Sequence, residues 1–143
     1  MGIELKECKS KSSMLKNHGL LKQLHPHLTL NKYDTLLDKM IPHNYFQLVA
    51  EMNDKIIGVT GVWVGHKIWS GKYLELDNVV VHQDYRSLKV GAEMTEYLIQ
   101  KAKDLDCDML GLDVYTDNFG GIKFYMNNGF NPTGFHMIKR LKE

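Results

Sequence analysis

Between residues 73 and 116 the chain changes its hydrophobic period twice, and this limits what it can fold into. Residues 73–81, Tyr-Leu-Glu-Leu-Asp-Asn-Val-Val-Val, read as a strand. Residues 90–105 then place Val90, Met94, Leu98, Ala102 and Leu105 on one stripe, at spacings of 4, 4, 4 and 3. That is the pattern of a helix with one apolar face. Residues 108–116 return to a strand. A strand–helix–strand crossover requires a sheet with a helix packed on it.

The flanking segments extend the same architecture. Residues 3–8 read as a short strand. Residues 12–24 carry Met14, Leu15, Leu20, Leu21 and Leu24 in a helical pattern broken at Gly19 and ended by His25-Pro26-His27, since Pro disfavours a helical residue before it. Residues 32–41 form a second amphipathic helix through Tyr33, Leu36, Leu37, Met40 and Ile41. Residues 45–52 alternate, with Phe46, Leu48, Ala50 and Met52 on one face, and Asn53-Asp54 turns the chain into a second arm over 55–64. Gly58 and Gly61 suggest a bulge in that arm. Residues 119–128 predict a short helix closed by Gly129. Residues 130–141, after the turn Asn131-Pro132-Thr133-Gly134, predict one or two final strands. The order is β-α-α-β-β-β-α-β-α-β, a single α/β (α+β) domain over residues 1–143.

Composition narrows the function classes. With 43% apolar and 24% charged residues, 143 residues suffice for a core without staples. Eighteen Lys and Arg against 17 Asp and Glu leave a net charge of +1, too small a field to favour nucleic acid or an anionic membrane. Cys8 and Cys107 stand 99 positions apart, and the seven His form no i,i+4 helical pair, so no disulfide framework or metal site is expected. The first residues lack an apolar signal core, and no apolar run approaches the roughly 18 residues of a membrane span, so a cytoplasmic protein is expected.

The chemistry concentrates after the strand at 73–81. Arg86-Ser87-Leu88-Lys89-Val90-Gly91-Ala92 opens the long helix, where unpaired N–H groups and the macrodipole suit a phosphate. Further on stands Asn118-x-x-Gly121-x-x-Phe124-Tyr125-x-x-x-Gly129-Phe130. These two motifs, 32 residues apart from Arg86 to Asn118, resemble the signatures of the GNAT superfamily of acyl-CoA-dependent N-acyltransferases. That family carries Arg/Gln-x-x-Gly-x-Gly/Ala in its phosphate loop and Asn-x-x-Ala-x-x-Phe/Leu-Tyr-x-x-x-Gly-Phe later. Lys89 stands where the family has its first loop Gly, and Gly121 where it has Ala. A positive φ at Lys89 would be strained.

The resemblance implies a mixed, mostly antiparallel sheet of about six to seven strands flanked by about four helices, with a splayed cofactor cleft. It implies an N-acetyltransferase that uses acetyl-CoA as co-substrate, without metal, by direct attack of a primary amine in a ternary complex. The acceptor would be a small cationic amine, an amino sugar or a protein amine. Main-chain contacts to the pantetheine arm fall by position on Val79 and Val81 along Val79-Val80-Val81, and Val79 N–H becomes an oxyanion donor. Pyrophosphate falls on residues 87–92, with Arg86 and Lys89 adding charge. Asn118, Gly121 and Tyr125 face the cofactor from the second motif, with Tyr125 as the acid that protonates the departing thiolate.

For the base there are two candidates. Glu75 and Asp77 are two apart on one strand and share a side, which Val79 and Val81 are expected to continue. One would take the proton of an ammonium whose pKa is about 10.4, while the other binds it. Trp63, Trp69 and Tyr73 would line the acceptor groove or pack the strands, and Tyr33, Asp34, His43 and Tyr45 are acceptor-side candidates. The alternative function is a non-catalytic acyl-CoA-binding sensor or scaffold on the same fold. The family often pairs through strand edges near its C-terminus, which makes a homodimer an expectation here.

Overall fold

The hairpin expected around Asn53-Asp54 lies at the centre of one five-stranded sheet. The computed structural model describes residues 2–142. In chain order the elements are β1 (Glu4–Cys8), α1 (Lys11–Leu15), α2 (His18–Leu21), α3 (Leu30–Met40), β2 (Tyr45–Met52), β3 (Lys55–Lys67), β4 (Gly71–Val81), α4 (Val90–Asp104), β5 (Met109–Leu112) and α5 (Phe119–Asn127). The strands lie in the order β1-β2-β3-β4-β5. All neighbours are antiparallel except β4 and β5, which the α4 crossover makes parallel.

Each face of the sheet has its own core. On one, Val90, Met94, Leu98 and Ala102 of α4 pack on Leu48, Ala50, Ile57, Val62, Leu74 and Leu76. The predicted stripe of the long helix is therefore its buried face. Gly58 lets this helix come close, because a Cβ there would stand 2.8 Å from Met94 Sδ. On the other face Met14, Leu21, Tyr33 and Leu37 of α1–α3 pack on Tyr45, Val49, Val59 and Val80. Burying each such apolar side chain is worth about 1.5–3 kcal/mol. Glu7 ties α4 to β1: Tyr97 Oη donates to its Oε2 at 2.6 Å and Lys101 Nζ to its Oε1 at 3.1 Å. Burial alone would raise the Glu7 pKa, but these two donors outweigh it and hold the carboxyl below the usual range.

Several expectations are corrected. The helix expected over 12–24 is two short ones, and the break falls at Asn17 rather than Gly19. Asn17 is buried, and its Nδ2 donates to Gln47 Oε1 at 2.8 Å, which holds the chain out of helix. Among the described residues the sheet has five strands rather than about six to seven, and there are five α-helices rather than about four. Residues 130–141 form no strand. Beyond the Phe130 N–H, this segment makes no backbone hydrogen bond among the described residues, and a strand exists only through pairing. The strand expected over 108–116 is only Met109–Leu112.

The reason for that short strand lies in β4. Its pairing with β5 runs from Tyr73↔Met109 to Leu76↔Leu112 and stops, whereas its pairing with β3 continues to Val81. Between Gly61↔Asp77 and Val59↔Val80, two residues of β4, Asn78 and Val79, oppose one residue of β3. Asn78 takes φ +58 there. This is a β-bulge, which bends its strand and adds twist. It also reverses the sidedness. Leu74 and Leu76 face α4 before the bulge, Val79 and Val81 pack toward α4 after it, and Val80 joins the opposite core. Val79 and Val81 therefore do not continue the face of Glu75 and Asp77, as period-2 counting predicts.

Candidate active site

From Asp77 to Val81 the edge of β4 that would meet β5 carries no strand. The His82 N–H points back to Ile57 O at 2.7 Å on β3. By alternation along a strand, the Val81 carbonyl points the other way, to this open edge. The N-terminus of α4 stands beyond it. A 3-10 turn over Gln83–Leu88 leads to Lys89, which caps α4 with φ +59 and ψ 30 and offers no side-chain cap bond. The positive φ that made Lys89 an anomaly is real, and it costs about 1 kcal/mol relative to glycine. The first-turn amides of Val90, Gly91 and Ala92 consequently lack an intrahelical partner. Arg86, Ser87, Leu88 and Lys89 are exposed along the rim.

α5 closes the same corner. A Cβ on Gly91 would lie 3.8 Å from Phe124 Cζ and 3.9 Å from Val81 Cγ2, so the end of β4, the start of α4 and the middle of α5 converge. Asn118 caps α5, its Oδ1 accepting from the Gly121 N–H at 3.0 Å. A Cβ at position 121 would sit 2.6 Å from Asn118 Nδ2, so an Ala there would require the capping side chain to shift. Tyr125 lies between the rings of Phe124 and Phe130, with centroids 5.2 and 5.6 Å away. Burial pushes its phenol pKa up, so it holds its proton at neutral pH.

Glu75 and Asp77 share the face opposite α4 but have different surroundings. Asp77 Oδ2 accepts from Trp63 Nε1 at 3.0 Å, and Trp63 rests on Tyr45 with centroids 4.8 Å apart. Glu75 is half-buried, and its pKa is raised, by burial first and then by Asp113 and Asp77, with Lys67 and His136 opposing. Such a carboxyl is poised closer to neutrality than a free one. Trp69 is exposed on the β3–β4 turn. Tyr33 and Tyr45 line a cavity beside the bulge, whereas Asp34 pairs with Lys11.

Three residues of this region escape sequence reasoning. Asp113 follows β5, and the parallel register brings it beside the Glu75 strand; its Oδ2 accepts from His136 Nδ1 at 2.9 Å. Gln23 Nε2 donates to Val81 O at 2.9 Å, and His25 Nε2 donates to Asn78 Oδ1 at 2.6 Å. All three contacts link distant segments, and no local pattern announces them.

The arrangement fits coenzyme A. An uncapped helix N-terminus suits its pyrophosphate, and an unpaired strand edge suits its amide-bearing arm. Among the described residues no cluster of His, Cys, Asp and Glu could hold a metal ion. Nor, among these residues, is any helix long and apolar enough to cross a membrane.

Comparison with known proteins agrees with this geometry. Residues 15–130 match the model of the Acetyltransferase (GNAT) family. A curated human relative, spermidine/spermine N(1)-acetyltransferase-like protein 1, is 28% identical over 110 residues, covering 69% of this chain. The chain spans only 16% of that relative's length. Among solved structures, glucosamine-6-phosphate N-acetyltransferase from Arabidopsis thaliana superposes with TM-score 0.77 at 22% identity, covering 99% of this chain and all of that one. Aminoglycoside N-acetyltransferase AAC(6')-Iy, in complex with a CoA bisubstrate analogue, gives 0.84 at 16% identity, covering 99% of each chain. At these identities the likeness is one of fold.

Proposed function

The chain belongs to the acetyltransferase (GNAT) family, and from that premise we propose that it transfers an acetyl group from acetyl-CoA directly to a primary amine in a ternary complex. The observation that carries the reading is the early end of the β4–β5 ladder at Leu76 and Leu112, with the uncapped start of α4 beyond it. Acetyl-CoA supplies the activated thioester. The residues that would hold it are Val79 and Val81 through main-chain groups, the amides of Ser87–Ala92 with Arg86 and Lys89 at the rim, and Asn118, Gly121 and Tyr125 from α5.

In this reading Glu75 takes a proton from the acceptor ammonium, directly or through water, and frees its lone pair. Asp77, held by Trp63, contributes negative charge that favours a cationic acceptor. The amine nitrogen forms its bond to the acetyl carbon, the carbon–sulfur bond breaks with its electron pair on sulfur, and the excess proton left on nitrogen passes through water to restore the Tyr125 phenol. Tyr125 gives its proton to the departing sulfur, and the raised phenol pKa keeps that proton available. The Val79 N–H is the oxyanion donor.

A non-catalytic acyl-CoA sensor would need the open edge and α4, but no carboxyl poised toward neutrality. The raised Glu75 favours the enzyme. The deciding experiment is calorimetric titration with acetyl-CoA, followed by an amine-dependent thiol-release assay. Saturable binding, weakened at least tenfold by Arg86→Glu, together with thiol release is the expected result. Folded protein that does not bind acetyl-CoA overturns the reading, and binding without release under any amine points to the sensor.

A further inference from the structure

A cavity of about 460 Å³ opens between α2, the loop that follows it and α3, on the carboxylate side of the β4 bulge. That is within the roughly 300–1,000 Å³ of small-molecule sites. Leu21, Leu24, Leu28, Leu36 and Met40 form its walls, together with Tyr33 and Tyr45. The two tyrosines present ring rather than hydroxyl. Gln47 Nε2 donates to Tyr33 Oη at 2.9 Å and to Tyr45 Oη at 3.0 Å, and Tyr33 Oη donates to Met14 O at 2.7 Å. The Tyr33 hydroxyl is thus fully engaged in a buried network behind the wall, and the Tyr45 oxygen accepts from the same Gln47 amide. No carboxylate lines the cavity; its ionisable groups besides the phenols are Lys32, His25 and His27.

One end of the cavity reaches the reacting side of β4. Asn78, the bulge residue, lines it, and Asn78 Oδ1 is held by His25. Tyr45 continues into the Trp63–Asp77 pair, and Trp63 stands opposite Glu75 in the β3–β4 register. An ammonium beside Glu75 and Asp77 would therefore trail its substituent past Tyr45 into the cavity.

We infer that this cavity receives the tail of the acceptor, and that the acceptor is a primary amine bearing one compact apolar group. The inference rests on the acetyltransferase reading above. A polyamine would carry further ammonium groups along leucine walls beside Lys32, where each would be desolvated with no counter-charge. The hydroxyls of a sugar would meet ring faces and aliphatic carbon instead of acceptors. An alkyl or aryl tail meets neither penalty, and each buried methylene raises affinity about fourfold.

The test is kcat/KM at saturating acetyl-CoA across straight-chain alkylamines, 2-phenylethylamine, spermidine and glucosamine 6-phosphate. Values that climb about fourfold per methylene before levelling, with 2-phenylethylamine at least tenfold above spermidine, are the expected result. Leu36→Glu, at a half-exposed wall position, adds a carboxylate. It should reverse that order toward spermidine while leaving the acetyl-CoA Kd unchanged. Should that variant fail to fold, Leu24→Glu, equally exposed, replaces it. A flat dependence on chain length, or a wild-type preference for spermidine or the sugar, overturns the inference and leaves the acetyltransferase reading intact. If no amine turns over, 2-phenylethylamine is titrated against the acetyl-CoA complex by tryptophan fluorescence, and absence of binding there also overturns it. Loss of acetyl-CoA binding itself defeats the underlying reading instead.

Discussion

Gln23 Nε2 donates to the main-chain carbonyl of Val81 at 2.9 Å, so a side chain from the turn after α2 occupies an acceptor on the open edge of β4. A pantetheine arm that pairs with β4 at Val81 has to displace it. One exposed hydrogen bond is worth about 1 kcal/mol net. Gln23→Ala should then lower the acetyl-CoA Kd about fivefold by calorimetry. An unchanged or higher Kd would show that the two do not compete.

Lys89 holds φ +59 without a compensating side-chain bond. Lys89→Gly should stabilise the protein by about 1 kcal/mol, read as a higher urea midpoint at constant slope. Because Lys89 also stands on the phosphate rim, the same variant should weaken acetyl-CoA binding by a few-fold, more at low salt than at high salt. A lower midpoint would rule out the strain.

Glu75 titrates above the ordinary carboxylate range, through burial and the neighbouring Asp113 and Asp77. Its folded pKa exceeds its unfolded one, so ionising it costs stability. That cost is absent below the unfolded pKa and complete above the folded one. Glu75→Gln should therefore raise the Tm at pH 7 and leave it unchanged well below pH 4, with a gain under about 1 kcal/mol after solvent screening. The substitution should also reduce kcat at least about a hundredfold and abolish the acidic limb of the pH–rate profile. Retention of that limb would move the base elsewhere.

Tyr125 is half-buried between two phenylalanines, and Tyr125→Phe removes one oxygen without a cavity. The expected outcome is a fall in kcat of about 10²-fold or more with an unchanged acetyl-CoA Kd. An equal loss of binding and turnover would make the residue a packing element.

Phe135, Met137 and Leu141 are nearly fully exposed, at 91, 88 and 88%. They sit on a segment without backbone pairing, in a chain whose β5 has one unpaired edge. In a homodimer each copy could cover the other's segment, and two-fold closure would satisfy both. Light scattering during gel filtration should give twice the chain mass, reduced to a single chain by Phe135→Ser with Met137→Ser. A wild-type monomer at high concentration would exclude this pairing.

How legible this was from sequence depended on the range of each interaction. The α4 stripe and the hairpin at Asn53-Asp54 are local patterns, and the structure places both as read. Residue 89 stands out in sequence because it carries a side chain where the motif has glycine, and its φ is positive. The bulge at Asn78 was not foreseen, since one inserted residue leaves a run of valines looking uniform while exchanging its faces. Gln23 and His25 join β4 from 58 and 53 positions away, and Asp113 acts on Glu75 across the α4 crossover, so tertiary packing alone brings them there. The C-terminal segment alternates like a strand, but alternation supplies no partner.

The parting of β4 from β5 after Leu76 has a consequence for the protein's lifetime. If the co-substrate arm lies along that edge, it acts as a sixth strand borrowed from metabolism. Loading then adds RT ln(1 + [L]/Kd) to the cohesion of the sheet, and product departure withdraws it. Resistance to proteolysis would then track coenzyme A in either form, since the arm is the same with or without its acetyl group.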